Sequence, residues 1–176
     1  MPGCEPLPSD TPSYDRVSVT LHWLVAALVV VQFATGWVWG IFERGSDPRF
    51  VLFRIHLVAG TAVLVLAVLR IGWRLTHRAP PLPQGTSRPI TLAAKATHGL
   101  LYLAILVQPA LGLLTVTAFG KSLGRWPRDA HMMLVNVIAA IIVLHVAAAI
   151  WHQFILRDGL LRRMLPARKA RAAAMK

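Results

Sequence analysis

DAHMMLVNVIAAIIVLHVAAAIWHQFIL, residues 129–156, is the stretch whose reading decides the fold. It is apolar for long enough to cross a bilayer, yet it carries three histidines. His131 and His145 are fourteen positions apart, about four helical turns less 40°, so both imidazoles leave one face of a single helix. Their axial separation is about 21 Å at 1.5 Å per residue, most of a hydrocarbon core. Two imidazoles on one face, one near each membrane surface, point to two stacked haems, each taking its second axial ligand from another helix.

The rest of the composition agrees with a membrane domain. Of 176 residues, 56% are hydrophobic, and they fall in four long runs. The net charge of +12 comes from 19 Lys and Arg against 7 Asp and Glu. These basic residues flank the apolar runs, as in loops held at a membrane surface, and no nucleic-acid reading motif accompanies them. Cys4 is the only cysteine, which excludes an intramolecular disulfide and a cysteine-ligated cluster.

Working outward, the sequence predicts an all-α integral membrane protein, a four-transmembrane-helix bundle holding two haems. Residues 1–13 are polar and Pro-rich, lack the pattern of a signal peptide, and are expected to be a disordered tail. Helices are predicted over 17–42, after a cap at Asp15, then 51–75 and 90–117, with Pro109 kinking the third. The last covers 129–156. Segment 43–50 reads as a loop, and the prolines of the second connection favour an extended crossing. The basic tail beyond Arg157 is expected on the headgroups, with 167–176 outside the four-helix domain of 14–166. No internal repeat at a fixed period is expected. Lys and Arg count thirteen on the side of the termini and second loop against six on the other, among them Arg44, Lys121 and Arg128. That bias puts both termini in the cytoplasm.

Depth orders the histidines. An ionisable side chain in a membrane helix is costly and is therefore first a functional candidate, although a neutral imidazole can also hydrogen-bond between helices. His22 and His145 lie in the cytoplasmic half, His56 and His131 in the outer half, so the expected metal-ligating pairs are His22/His145 and His56/His131. Gly36 and Gly112 follow His22 and His98 by fourteen residues, and Gly60 follows His56 by one turn. A glycine there admits a porphyrin against the backbone, or merely close helix packing. Arg54 for the outer haem, and Arg70 and Arg74 for the inner one, are candidate propionate partners by bidentate hydrogen bonding, or snorkelling anchors. His98, at the inner level, could meet a haem edge, a quinone or another helix. His152 lies about 10 Å nearer the cytoplasm than His145 and could hydrogen-bond a quinone carbonyl and pass a proton, or be an interfacial surface residue. His77 is expected in solvent.

YDRVSVTLHWL around His22, RIHLVAG around His56, THGLLYL around His98 and the closing H-x13-H-x6-H resemble the bacterial cytochrome b561 family, over about residues 14–166. The resemblance implies a four-helix membrane bundle with two b haems, ligated by residues in the positions of His22, His56, His131 and His145. One family member is a superoxide:ubiquinone oxidoreductase, and its quinone-site histidine corresponds to His152.

The expected function is therefore electron transfer from a one-electron donor, superoxide foremost, at the outer side, through two haems, to ubiquinone. Basic residues on the outer loops would concentrate an anionic donor. The alternative is a membrane-anchor electron carrier serving a soluble dehydrogenase or hydrogenase. A haem-free transporter with a histidine proton relay is the third reading.

Overall fold

The computed structural model describes residues 13–81 and 85–165. The tails expected at 1–13 and 167–176 lie outside these residues, apart from Ser13. Five α-helices are described: α1 (Arg16–Val38), α2 (Asp47–Thr76), α3 (Arg88–Val116), the short α4 (Ala118–Ser122) and α5 (Trp126–Trp151). A 3-10 turn prolongs α1 over Trp39–Ile41, and a π-helical turn prolongs α5 over His152–Leu156. No strand occurs among the described residues.

With those extensions, four helices of 26 to 31 residues are long and apolar enough to cross a membrane. The expected four-helix membrane bundle is the architecture found. Asp15 caps α1, its carboxylate accepting from the Ser18 amide at 2.9 Å. Three helices begin two or more residues earlier than expected, α2 at Asp47, α3 at Arg88 and α5 at Trp126, each with a proline in its first turn. Proline is suited to that position, since its missing N–H has no intrahelical partner there. Helix α3 runs on through Pro109. The third connection is not an open loop. It contains α4, packed so closely on the end of α3 that a Cβ at Gly120 would fall 1.7 Å from the Leu114 carbonyl oxygen.

Close packing joins α1 to α2, α3 to α5, and α2 to α3. The seam of α2 is Ala59, Val63 and Ala67, small or slender residues at one-turn spacing. Residues 157–165 fold back across the inner end. The Trp23 indole donates to the Met164 carbonyl at 2.7 Å, and the Tyr14 amide donates to that of Arg163 at 3.3 Å. Arg163 is itself buried and donates to the Pro81 carbonyl at 2.6 Å. This part of the chain is a clasp over three segments.

The chain also carries a repeat. His22-x9-Gln32-x3-Gly36 on α1 recurs 76 positions later as His98-x9-Gln108-x3-Gly112 on α3. On the partner helices, His56-x13-Arg70 of α2 recurs 75 positions later as His131-x13-His145 of α5. The contacts repeat too. Gln32 Nε2 on α1 donates to the His56 carbonyl at 2.7 Å, and Gln108 Nε2 on α3 donates to the His131 carbonyl at 2.9 Å. The bundle is two copies of one helical hairpin, contrary to the expectation of no repeat.

Candidate functional site

The histidines gather at two levels, called outer and inner after the orientation expected from the Lys and Arg bias. At the outer level the His56 and His131 rings stand 6.4 Å apart, centre to centre, with planes 82° from parallel. At the inner level His22 and His145 are also 6.4 Å apart, at 70°. These are the pairs that depth selected. His98 joins the inner level, 5.4 Å from the His145 ring.

That separation tests whether a metal between the rings would fit. Imidazole nitrogen binds a first-row metal at about 2 Å, and the ring centre lies about 1 Å behind the nitrogen, so two axial imidazoles place their centres about 6 Å apart. Both pairs meet this. No group of three or more His, Cys, Asp or Glu side chains suited to a bare metal ion occurs among the described residues. A pair leaves four coordination positions to be filled from elsewhere, which a porphyrin does.

Hydrogen bonding sets which ring nitrogen is available. Thr35 Oγ1 donates to the Val31 carbonyl at 2.7 Å, so towards His56 Nδ1, 3.0 Å away, it acts as acceptor. His131 Nδ1 lies 3.0 Å from the Gln108 carbonyl, which can only accept. Both outer rings thus carry the proton on Nδ1 and present a free Nε2 lone pair, the arrangement a metal requires. His22 is different. Arg70 Nη1 donates to its Nδ1 at 3.0 Å, which puts the ring proton on Nε2. Ligation there through Nε2 requires the proton on Nδ1 and Arg70 turned away.

Glycine supports the outer pair from behind. A Cβ at Gly36 would meet His56 Cε1 at 3.4 Å, and one at Gly112 would meet His131 Cε1 at 3.1 Å. Gly60 has another task, since its Cβ would stand 3.2 Å from Gln32 Nε2. It makes room for the amide that holds the His56 carbonyl.

Of the arginines, Arg70 reaches the inner group. It contacts His22 and lies 5.6 Å over the Tyr102 ring, with Nε 3.5 Å from the Tyr102 hydroxyl. Arg54 is exposed, its guanidinium 5.6 Å over Phe50, and Arg74 is exposed near the inner end of α2. His77 caps α2, exposed as expected but stacked on Trp73 at 3.8 Å.

His152 sits below the inner group, where α5 loosens into its π-helical turn. Its Nδ1 lies 2.5 Å from Asp158 Oδ2. Neither Asp158 nor Thr35, Gln32 and Gln108 figured among the sequence candidates. The repeated H-x9-Q-x3-G would have exposed the two glutamines. At the outer end, Trp39 lines a cleft with Arg49, Phe50 and Phe53, and its ring is 5.4 Å from that of His56.

A family model described as prokaryotic cytochrome b561 matches residues 13–167. Cytochrome b562 of Cereibacter sphaeroides is 36% identical over 158 residues, covering 88% of this chain and 96% of that protein. Cytochrome b561 homolog 2 of Escherichia coli is 30% identical, covering 89% and 94%. The probable superoxide oxidase CybB of Yersinia pestis is 28% identical, covering 89% and 97%.

Proposed function

The chain belongs to the prokaryotic cytochrome b561 family of electron-transfer membrane proteins, and on that premise we propose that it binds two b haems and passes electrons from superoxide to ubiquinone. The observation that carries the haem assignment is the pair of 6.4 Å imidazole separations at two levels. His56 and His131 would hold the outer haem, His22 and His145 the inner one. Held between these paired rings, haem would supply one-electron exchange, and ligation by both imidazoles of a pair would suit electron transfer over oxygen binding.

The protein's own residues do the rest. Thr35 and the Gln108 carbonyl hold the outer rings in the tautomer that ligates. Gln32 and Gln108 fix the backbone behind those rings. Arg70 is a cation at inner depth, and neither the Arg125–Asp129 ion pair nor the His152–Asp158 contact involves it. On release from His22 it can receive a propionate. Arg54 and Arg74, both exposed, would need to swing inward for the same role. His98 flanks the inner ligand His145, and His152 would hydrogen-bond the quinone and hand it a proton.

The basic outer loops, together with the cleft of Trp39 and Arg49, favour an anionic donor on that side. The Lys and Arg bias assigns that side to the exterior and both termini to the cytoplasm. The reaction balances: two superoxide ions lose one electron each to become dioxygen, and one quinone takes both electrons and two protons to become quinol.

A reduced-minus-oxidised spectrum with haem quantitation tests the cofactor assignment, and a colourless, folded protein made with ample haem overturns it. Superoxide-driven reduction of ubiquinone by the purified protein tests the reaction. Haem-loaded protein inert to superoxide yet oxidised by quinone is instead a carrier for a partner dehydrogenase, a role in keeping with a 36% identical relative named simply cytochrome b562.

A further inference from the structure

We propose that Asp158 is the positioning residue for His152, fixing its ring so that Nε2 addresses the quinone oxygen. The inference rests on the reading of His152 as the quinone's proton donor. It begins with how the chain ends α5. The π-helical turn His152–Leu156 is closed by Arg157 in the left-handed conformation, at φ 53°, and the Asp158 amide then donates back to the His152 carbonyl at 3.3 Å. A non-glycine residue held at positive φ is uncommon, and it turns the chain sharply enough to return Asp158 to the histidine six positions earlier.

Both carboxylate oxygens are used. Oδ1 accepts from the Leu160 amide at 3.0 Å, which fixes the carboxylate plane, and Oδ2 faces His152 Nδ1 at 2.5 Å. A carboxylate only accepts, so Nδ1 holds a proton and Nε2 is the ring's working nitrogen. The side chains are 17% and 19% exposed, so the contact is partly withdrawn from solvent and holds the ring in one orientation. With Nδ1–H fixed on Asp158, a proton on Nε2 can be donated to a quinone oxygen as that oxygen gains electrons. After transfer, Nδ1–H still points at Asp158 and Nε2 is again a lone pair, ready for the next proton. This is the division of labour between orienting carboxylate and proton-carrying imidazole that hydrolytic triads use, applied to a proton delivered to a redox substrate.

The decisive variant is Asp158→Asn. Its amide oxygen can still accept from the Leu160 amide, so the turn survives. In place of Oδ2 stands an NH2 group, which can only donate to Nδ1 and so forces the ring proton onto Nε2. The expected result in the haem-loaded protein is a fall in kcat for quinone reduction of about tenfold or more, with KM for quinone within about twofold. Haem content and reduction by dithionite should be unchanged. Nitrogen NMR of 15N-histidine-labelled protein should show the His152 proton moving from Nδ1 to Nε2, and Asp158→Glu should recover part of the rate. If Asp158→Asn leaves kcat and the tautomer unchanged while His152→Ala abolishes quinone reduction, the positioning role is overturned and the reading of His152 stands. If His152→Ala is also fully active, that reading falls and the proposal with it. Should Asp158→Asn fail to accumulate, Asp158→Glu carries the test, and full activity there with the ring proton on Nε2 overturns the proposal.

Discussion

The two hairpins, α1 with α2 and α3 with α5, start from one pattern and treat it differently at the two levels. At the outer level they match: His56 faces His131, a glutamine on each leading helix holds the histidine's carbonyl, and a glycine lies behind each ring. At the inner level the match breaks. His22 and His98 are counterparts, but His145 has Arg70 as its counterpart. The inner level therefore holds three imidazoles and a guanidinium where strict duplication would place four imidazoles. The lesson is that a symmetric scaffold can give two levels of histidines different electrostatics through one replaced side chain.

The largest effects test the pairing that the comparison assumes. His56→Ala and His131→Ala should each remove the same haem, leaving about half the haem content, and His22→Ala and His145→Ala should each remove the other. Haem quantitation with low-temperature spectra distinguishes the two. Loss of different haems from His56→Ala and His131→Ala would break the symmetric outer pair. His98→Ala should retain both haems, because its counterpart His22 is the ring placed 6.4 Å from His145.

A smaller effect separates the levels. A cation close to a haem favours the reduced form, which carries the extra electron. Arg70→Gln should lower the midpoint of the inner haem by roughly 30–60 mV, a three- to tenfold change in its one-electron equilibrium, with the outer haem unmoved. A redox titration followed at both haem bands measures this. An equal shift in both would mean that the asymmetry at Arg70 is not what distinguishes the levels.

How far the sequence reveals this follows from the kind of signal each feature leaves. Helix spans are written in composition, and histidine depth follows from position along a span, so the four helices and the candidate pairs were legible. The Asp15 cap was legible because its chemistry is local. The duplication was not, since its signature is five positions per hairpin, one of them exchanged, scattered through apolar filler that is interchangeable in a membrane. VQFATG and VQPALG, at 31–36 and 107–112, are its one compact trace. Gly60 shows another limit: its spacing from His56 suggested a porphyrin, whereas its neighbour is Gln32, a residue 28 positions away on another helix. Asp158 depends on a left-handed residue after a π-helical turn, a backbone event that side-chain periodicity does not announce.

The glycines sharpen the comparison within the outer level. A Cβ at Gly112 would stand 3.1 Å from His131 Cε1, closer than ordinary contact, and that ring is held by the Gln108 carbonyl. At Gly36 the corresponding distance to His56 is 3.4 Å, ordinary van der Waals contact. Gly112→Ala should cost about 1–2 kcal/mol, read as earlier loss of haem absorbance on thermal denaturation in detergent. Gly36→Ala should stay within about 0.5 kcal/mol. Equal losses would mean that the second hairpin holds its histidine no more tightly than the first.

The smallest expected difference lies at the helix starts. Helix α1 is capped by Asp15, which also accepts from the Trp73 indole at 3.0 Å and so ties α1 to the end of α2. Helix α3, its counterpart, begins at Ser87 with no side-chain cap bond. Asp15→Ala should therefore cost about 1 kcal/mol, while Ser87→Ala should cost close to nothing. The effect has a pH signature. Desolvation is the largest single influence on the Asp15 carboxyl and pushes it up, but the hydrogen bonds from Ser18 and Trp73 together outweigh it and hold the group below its ordinary range. A carboxyl depressed in the folded state contributes its stability fully above the ordinary carboxyl range, and loses it as pH falls through the lowered value. The stability gap between wild type and Asp15→Ala should thus be constant near neutrality and close in acid, below about pH 4. A gap that widened in acid would mean the carboxylate is not the capping species, and the first hairpin would lose its distinction from the second at this end.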